Sequence, residues 1–156
     1  MPEVSIVDES GGEIILGGPI RLRILEDGSH TAGRLAVVEL TIAPHTDGPP
    51  QHRHGAHDEG FYVVSGTARF TVGAATYDAP PGTFVTVPPG APHTFANPGE
   101  VPAVVLNTLT PDLYVQYFRD LRDLTAKDGS MSPDDLTAAM ARYHTEPATT
   151  YADRPR

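Results

Sequence analysis

Short apolar stretches divided by glycine and proline make up most of the first 110 residues. Several of these stretches are rich in β-branched residues and alternate apolar and polar positions, the period of two expected of a half-buried strand. Prolines fall between them, at Pro49-Pro50, Pro80-Pro81 and Pro88-Pro89, where a central strand could not accept them. The spacing predicts a closed or sandwiched antiparallel sheet. Its expected strands cover residues 13–16, 20–25, 35–42, 60–64, 68–72, 75–77, 83–87, 93–96 and 103–109.

Two details of the predicted strands bear on their arrangement. Ser65-Gly66 and Val72-Gly73 stand where hairpin turns are expected. In residues 34–42 the even and odd positions differ little in polarity, which favours a strand buried on both faces.

Beyond Pro111 the apolar period becomes that of a helix. Thr110 precedes Pro111 as an N-cap would, with proline at the first helical position. A second helix start is indicated by Ser132, which stands directly before Pro133. The apolar residues of the first predicted helix are Leu113, Tyr114, Tyr117, Phe118, Leu121 and Leu124.

The change of period predicts three segments. Residues 1–110 are expected to form a β-barrel, and residues 111–145 a helical extension that packs on the outside of the barrel or across a dimer partner. Residues 146–156 are expected to form a tail.

Charge and composition narrow the class of protein. Eleven Lys and Arg against twenty Asp and Glu give a formal net charge of -9, which excludes nucleic acid and anionic lipid as main partners. The chain has no cysteine, so a disulfide framework, a thiol nucleophile and a thiolate metal site are excluded. No signal peptide is recognisable, and the longest apolar runs are far below the roughly 20 residues of a membrane span. We therefore expect a cytoplasmic protein without a membrane partner.

The histidines are unevenly distributed, and most of them fall between residues 44 and 97. His52 and His54 are two residues apart, so on a strand both imidazoles project from one face. Glu59 follows after a short turn, and His93 follows some thirty residues later. Three imidazoles and a carboxylate match one divalent ion of Fe, Mn, Ni, Co, Cu or Zn, whereas Ca and Mg prefer oxygen ligands.

The same residues form two motifs that resemble those of the cupins. The second motif, Gly-x5-Pro-x-Gly-x2-His-x3-Asn, is present without a mismatch, whereas the first departs from the usual pattern upstream, where Thr46 replaces a glycine and Gly48 stands nearby. The motifs span residues 48–97, and the rest of the chain is similar to single-domain, quercetin-dioxygenase-like cupins. The motif positions are His52, His54, Glu59 and Gly66, then Gly82, Pro88, Gly90, His93 and Asn97.

The resemblance implies a fold, a cofactor and a reaction. The fold would be an all-β double-stranded β-helix, or jelly-roll barrel, with two C-terminal α-helices, and the protein would be a homodimer. His52, His54, Glu59 and His93 would hold one divalent transition metal. Glu59 would also be catalytic, as the base that accepts a substrate proton. The implied activity is that of a dioxygenase, with dioxygen and a small aromatic or enol substrate as its partners.

Strand parity adds candidates for a substrate pocket. Phe61 and Val63 share the strand face of Glu59, and Phe95 shares the face of His93. An apolar, aromatic lining of this kind would suit a planar hydrophobic substrate.

The sequence leaves two questions open, the activity of the protein and the role of His57. The same architecture could serve a non-oxygenase metal enzyme (an isomerase, a decarboxylase or a polyketide-tailoring cyclase) or a non-catalytic module that binds a small molecule. His57 is expected at the surface or in contact with a ligand residue rather than as a ligand itself. The sequence leaves open whether His57 or Glu59 completes the metal shell.

Overall fold

Antiparallel strands followed by two helices make up the structure, a computed structural model that describes residues 3–152. The last four residues of the predicted tail, 153–156, lie outside the described residues. The prediction of an all-β protein with two C-terminal helices is confirmed. The strands are β1 (Glu13–Gly17), β2 (Ile20–Asp27), β3 (Ala36–Ile42), β4 (Thr46–Asp47), β5 (His52–His54), β6 (Asp58–Ser65), β7 (Ala68–Val72), β8 (Ala75–Ala79), β9 (Phe84–Val87), β10 (Thr94–Asn97), β11 (Ala103–Thr110) and β12 (Thr145–Pro147), and the helices are α1 (Val115–Asp128) and α2 (Pro133–Ala141).

The strands form two main sheets, with every pairing antiparallel. One sheet has the order β1-β2-β3-β11-β6-β9, and the other has the order β4-β10-β7-β8. Strands that are adjacent in the chain are therefore often separated in space, which produces the crossovers of a jelly-roll arrangement. The apolar core lies between the inward faces of the sheets, with Phe61 and Phe70 among its largest fully buried side chains.

Strand β3 shows how the alternation builds this core. Ala36, Val38, Leu40 and Ile42 are buried, and the side chains between them are partly exposed. The strand is thus buried on one face and half-buried on the other, rather than buried on both faces as its polarity predicted.

The two predicted hairpin turns have different outcomes. Val72-Gly73 does join the paired strands β7 and β8, and Gly73 has the positive φ of 62° that its turn requires. Ser65-Gly66 instead carries the chain from one sheet to the other, because β6 pairs with β9 and β11 while β7 pairs with β8 and β10. The expected hairpin at Gly66 is therefore wrong, although the turn itself is present.

A third, two-stranded sheet joins the end of the chain to the middle. Strand β12 pairs with β5, so that Thr145 lies opposite His54 and Pro147 opposite His52. An ion pair of 2.7 Å between Arg53 Nε and Glu146 Oε1 supports the pairing. This strand was not predicted, since three residues that include a proline carry no strand pattern of their own.

Helix α1 starts later than the sequence predicts. It begins at Val115, after a turn in which the Asp112 carboxylate accepts hydrogen bonds from the backbone N–H groups of Tyr114 (3.2 Å) and Val115 (3.1 Å). Thr110 ends strand β11 and is not the N-cap. The start of α2 is confirmed, since the Ser132 hydroxyl accepts the Asp135 N–H at 3.1 Å.

Ion pairs attach helix α1 to the sheet edge. Arg119 binds Glu13 at 2.8 Å and Asp27 at 2.9 Å, while Arg122 also reaches Glu13. Hydrogen bonds from Ser29 and then from Arg119 lower the pKa of Asp27 to about 2. The helix is thereby held against the first two strands, beside the opening of the barrel.

Within the described residues, no helix has both the length and the hydropathy needed to cross a membrane.

Strand β1 forms an edge of the six-stranded sheet, with Leu16 70% exposed. The homodimer stays a prediction.

Candidate metal centre

Four side chains that the sequence singled out meet in the interior of the barrel. His52, His54, His93 and Glu59 are 5%, 2%, 1% and 4% exposed, respectively. Such polar groups are rarely buried together without a functional or structural partner.

Backbone pairing places the three histidines. His52 and His54 project from one face of β5, as their spacing predicts. His93, just before β10, lies opposite His52, and the two residues exchange backbone hydrogen bonds of 3.0 and 2.8 Å. Gly90 turns the chain into this position with a φ of 85°, and its N–H donates to the His54 carbonyl at 2.7 Å. The imidazole centroids of His52 lie 4.9 Å from His54 and 4.6 Å from His93.

The outer ring nitrogen of each histidine has an oxygen partner. Nδ1 of His52 lies 2.9 Å from the Pro50 carbonyl, and Nδ1 of His93 lies 3.2 Å from the Ala91 carbonyl. A carbonyl only accepts, so in the neutral form of both rings Nδ1 carries the proton and Nε2 is the nitrogen with the lone pair.

In His54 the proton on Nδ1 is held by a side-chain oxygen instead of a carbonyl. The Thr145 hydroxyl donates its single proton to the Tyr143 carbonyl at 3.0 Å, and its oxygen therefore accepts from Nδ1–H of His54 at 2.7 Å. A proton held on Nδ1 by a hydrogen bond is the usual arrangement of histidines that ligate a metal through Nε2.

Glu59 lies directly against two of these lone pairs. Its Oε2 is 2.7 Å from Nε2 of His93 and 3.1 Å from Nε2 of His54. Two acceptor atoms approach this closely only when a proton or a metal cation lies between them. The donor set therefore fits a divalent transition metal, and the ligand atoms of His52, His54 and His93 all lie within 4.8 Å of one another.

The electrostatics of the cluster keep the Glu59 carboxylate ionised and the His52 imidazole neutral. Burial alone would raise the pKa of Glu59, but hydrogen bonds and charge from His54 and His93 outweigh it and hold the pKa well below its usual range. Burial, together with the neighbouring His93 and His54, lowers the pKa of His52 to about 4. At neutral pH the site thus offers an ionised carboxylate and a neutral imidazole at His52, as metal binding requires.

A cavity of about 760 Å³ adjoins the cluster. His52, Glu59 and His93 reach it from the barrel, together with Phe61 and Phe95, two of the three predicted pocket residues. The third, Val63, is fully buried in the core and does not line the cavity.

The helical extension forms one wall of this cavity, which the sequence did not indicate. Side chains of both helices and of the segments next to them line it. They are Tyr114, Tyr117, Phe118, Leu121, Met131, Leu136 and Met140. The helices do pack on the barrel, as expected, and they also close the space beside the histidines.

Tyr114 is the site residue that sequence reasoning missed most clearly. Its ring is 6% exposed, lies 4.6 Å from the His54 ring and stacks on Tyr117 at 4.7 Å. Burial raises the pKa of its hydroxyl well above the ordinary value. In the sequence, Tyr114 is distinguished only by its place in the apolar period of the first helix.

His57 was predicted either at the surface or in contact with a ligand residue, and the structure shows that it is not at the surface. Its side chain is 1% exposed, and its ring lies 4.3 Å from the ring of His54, one of the four proposed ligands. Burial and the charge of His54 lower the pKa of His57 to about 4. The histidines outside the cluster behave differently: His30 and His45 pair with acidic residues nearer the surface.

The glycine and asparagine positions of the second motif have structural roles. Asn97 is buried, and its Nδ2 donates to the Ile42 and Val101 carbonyls at 2.9 and 2.8 Å. Gly82 has a φ of 89°, a conformation that favours glycine.

An antiparallel barrel that carries three histidines and a glutamate beside a cavity defines a structural class, the proteins of the double-stranded β-helix fold. Residues 38–109 match the family described as the Cupin domain. The resemblance to the cupin superfamily that the two motifs predicted is therefore confirmed.

One curated protein is similar to most of the chain. Quercetin 2,3-dioxygenase of Bacillus subtilis is 31% identical over 121 residues, which are 77% of this chain and 35% of that protein. The chain thus spans about a third of the length of this curated relative.

Solved structures with lower identity share the fold. KdgF from Halomonas sp. has a TM-score of 0.60 at 20% identity, over 69% of this chain and 94% of its own. A predicted oxalate decarboxylase from Thermotoga maritima has a TM-score of 0.62 at 16% identity, over 69% of this chain and 99% of its own.

Proposed function

We propose that this chain is a metal-dependent dioxygenase that acts on a small aromatic or enol substrate. The observation that carries the proposal is the position of His52, His93 and the Glu59 carboxylate in the wall of a largely apolar, aromatic cavity, with His54 directly behind Glu59 at 3.1 Å. The similarity to quercetin 2,3-dioxygenase supports the same class of reaction.

Each part of the site has a role in this proposal. His52, His54, His93 and Glu59 would hold one divalent transition metal, which would act as a Lewis acid towards a substrate hydroxyl or enol oxygen. Glu59 would accept the proton of that oxygen, because its carboxylate is ionised and lies beside the ligand nitrogens.

The cavity wall would select the substrate. Phe61, Phe95, Tyr117 and Phe118 offer aromatic faces against which a planar ring can stack. The largely apolar lining would keep bulk water from the reacting atoms and thereby strengthen the electrostatic interactions of the site.

Oxygen uptake tests the proposed reaction. Anaerobically purified protein, loaded in turn with each candidate metal, is mixed with flavonols, catechols or 1,3-diketones in an oxygen electrode. A dioxygenase consumes about one O2 per substrate converted, since both oxygen atoms enter the product. Conversion of a substrate without oxygen uptake would replace the proposal by the isomerase, decarboxylase or cyclase alternative. Binding without conversion of any compound would leave the non-catalytic alternative.

Thr145→Val should weaken metal binding although Thr145 is not a ligand. The substitution keeps the side-chain shape but removes the oxygen that accepts from Nδ1–H of His54. Loss of such an outer partner costs about 10- to 100-fold in metal affinity. Isothermal titration with Co²⁺ measures the change, and Thr137→Val, at an exposed threonine of α2, is the matched control. An unchanged affinity in Thr145→Val would contradict the assigned role of the hydroxyl.

A further inference from the structure

His57 is a buried histidine that the proposed reaction does not use. Among the residues described, neither of its ring nitrogens has a hydrogen-bond partner. A neutral imidazole has one N–H and one lone pair, so a donor and an acceptor are both left unsatisfied in the interior. Buried polar groups are almost always satisfied in folded proteins, and an exception points to a partner that the chain does not supply.

The position of His57 indicates what that partner is. Its ring lies against the rings of His54 and Tyr114, at centroid distances of 4.3 and 5.3 Å. With His54 and Glu59 it offers three ligand atoms that all lie within 4.8 Å of one another. Ligands of one transition metal ion bind at about 2.0–2.3 Å, so their atoms are separated by little more than 4 Å. An ion bound by His54 and Glu59 is therefore close to the reach of His57.

The free nitrogens of His57 distinguish it from the other three histidines of the cluster. In His52, His54 and His93 the Nδ1 atom is held by an oxygen, and the ring orientation is thereby fixed. No such bond holds either nitrogen of His57 within the described part of the chain, so both nitrogens are available to an ion.

We propose that His57 is an additional ligand residue of the metal centre, which binds the ion together with His54 when the carboxylate of Glu59 is withdrawn. The inference rests on the proposed metal centre and deepens it. In the proposed reaction Glu59 is both a metal ligand and the proton acceptor. While Glu59 accepts the proton, His57 takes its place as the metal ligand. The site then keeps three or more nitrogen ligands throughout, a donor set suited to Fe, Co, Ni, Cu or Zn.

Cobalt binding to four proteins tests this role without any measurement of activity. The proteins are the wild type, Glu59→Ala, His57→Leu and the variant that combines both substitutions, each titrated with Co²⁺ and followed by visible absorption. We expect each single variant to bind cobalt within about tenfold of the wild-type affinity, because the other residue compensates. The combined variant should lose more than about 100-fold, which exceeds the product of the single effects, as expected for two residues that replace each other. The cobalt spectrum of Glu59→Ala should also change when His57 is removed, because a nitrogen ligand is lost.

Thermal unfolding of the metal-free proteins separates ligation from a structural role. Leucine has no unsatisfied polar atom, so metal-free His57→Leu should be at least as stable as the wild type. His57→Asn is a second variant in case leucine is not accommodated, and His30→Leu, at a histidine outside the cluster, is the control. If the combined variant binds cobalt as Glu59→Ala does, with the same spectrum, the inference is overturned while the metal centre stands. A wild-type protein that binds no cobalt would overturn both.

Discussion

Replacement of His93 or His52 by alanine should abolish stoichiometric metal binding and leave the barrel folded. Each variant removes one Nε2 atom from a set whose ligand atoms lie within 4.8 Å of one another. Loss of an outer partner alone costs about 10- to 100-fold in metal affinity, so the loss of a ligand should cost more than about 100-fold. Elemental analysis after dialysis should therefore find about one metal per wild-type chain and almost none in either variant.

The backbone geometry explains why the fold should survive these substitutions. His52 and His93 are held opposite each other by backbone hydrogen bonds, which alanine preserves. Far-UV circular dichroism should then match the wild type, and His45→Ala, at a histidine paired with Glu100 outside the cluster, should keep its metal. A full equivalent of metal in both His52→Ala and His93→Ala would show that the ligands are assigned incorrectly.

The cluster of His52, His54, Glu59 and His93 could be predicted from the sequence because the patterns that place these residues are local. A period of two puts His52 and His54 on one face of any strand, and the glycines and proline before His93 mark a turn into the next one. The parity argument also placed Phe61 and Phe95 correctly at the cavity, since strand faces do not depend on the rest of the fold. It could not exclude Val63, because an inward face serves both the core and the cavity.

The parts that sequence reasoning missed depend on contacts between distant segments. Thr145 lies 91 positions from its partner His54, and no pattern in either segment announces their pairing. The turn position of His57 left open a place at the surface or contact with a ligand residue, and the burial of His57 depends on the segment before helix α1, which places Tyr114 against it. Likewise, the helices were recognised from their period, whereas their role as a cavity wall depends on docking through Arg119 to Glu13 and Asp27.

Glu59→Gln should reduce substrate-dependent oxygen uptake by about 10²- to 10⁴-fold, the usual contribution of a positioned general base. Glutamine has nearly the shape of glutamate, but its amide does not accept a substrate proton. The three Nε2 atoms of His52, His54 and His93 are untouched, so the metal should stay bound. Comparison of Glu59→Gln with the wild type therefore separates loss of the base from loss of the metal. Alanine variants of the histidines do not make this distinction, because they remove the metal itself.

Kinetics with matched variants decide whether Glu59 acts on the proton or only on the metal. A base that works in the chemical step lowers kcat and leaves KM nearly unchanged, whereas a residue needed only for substrate binding raises KM. Glu100→Gln, at a carboxylate 86% exposed, is the control and should retain full activity. If metal-loaded Glu59→Gln turned over at the wild-type rate, proton acceptance would have to be assigned to another group near the ligands.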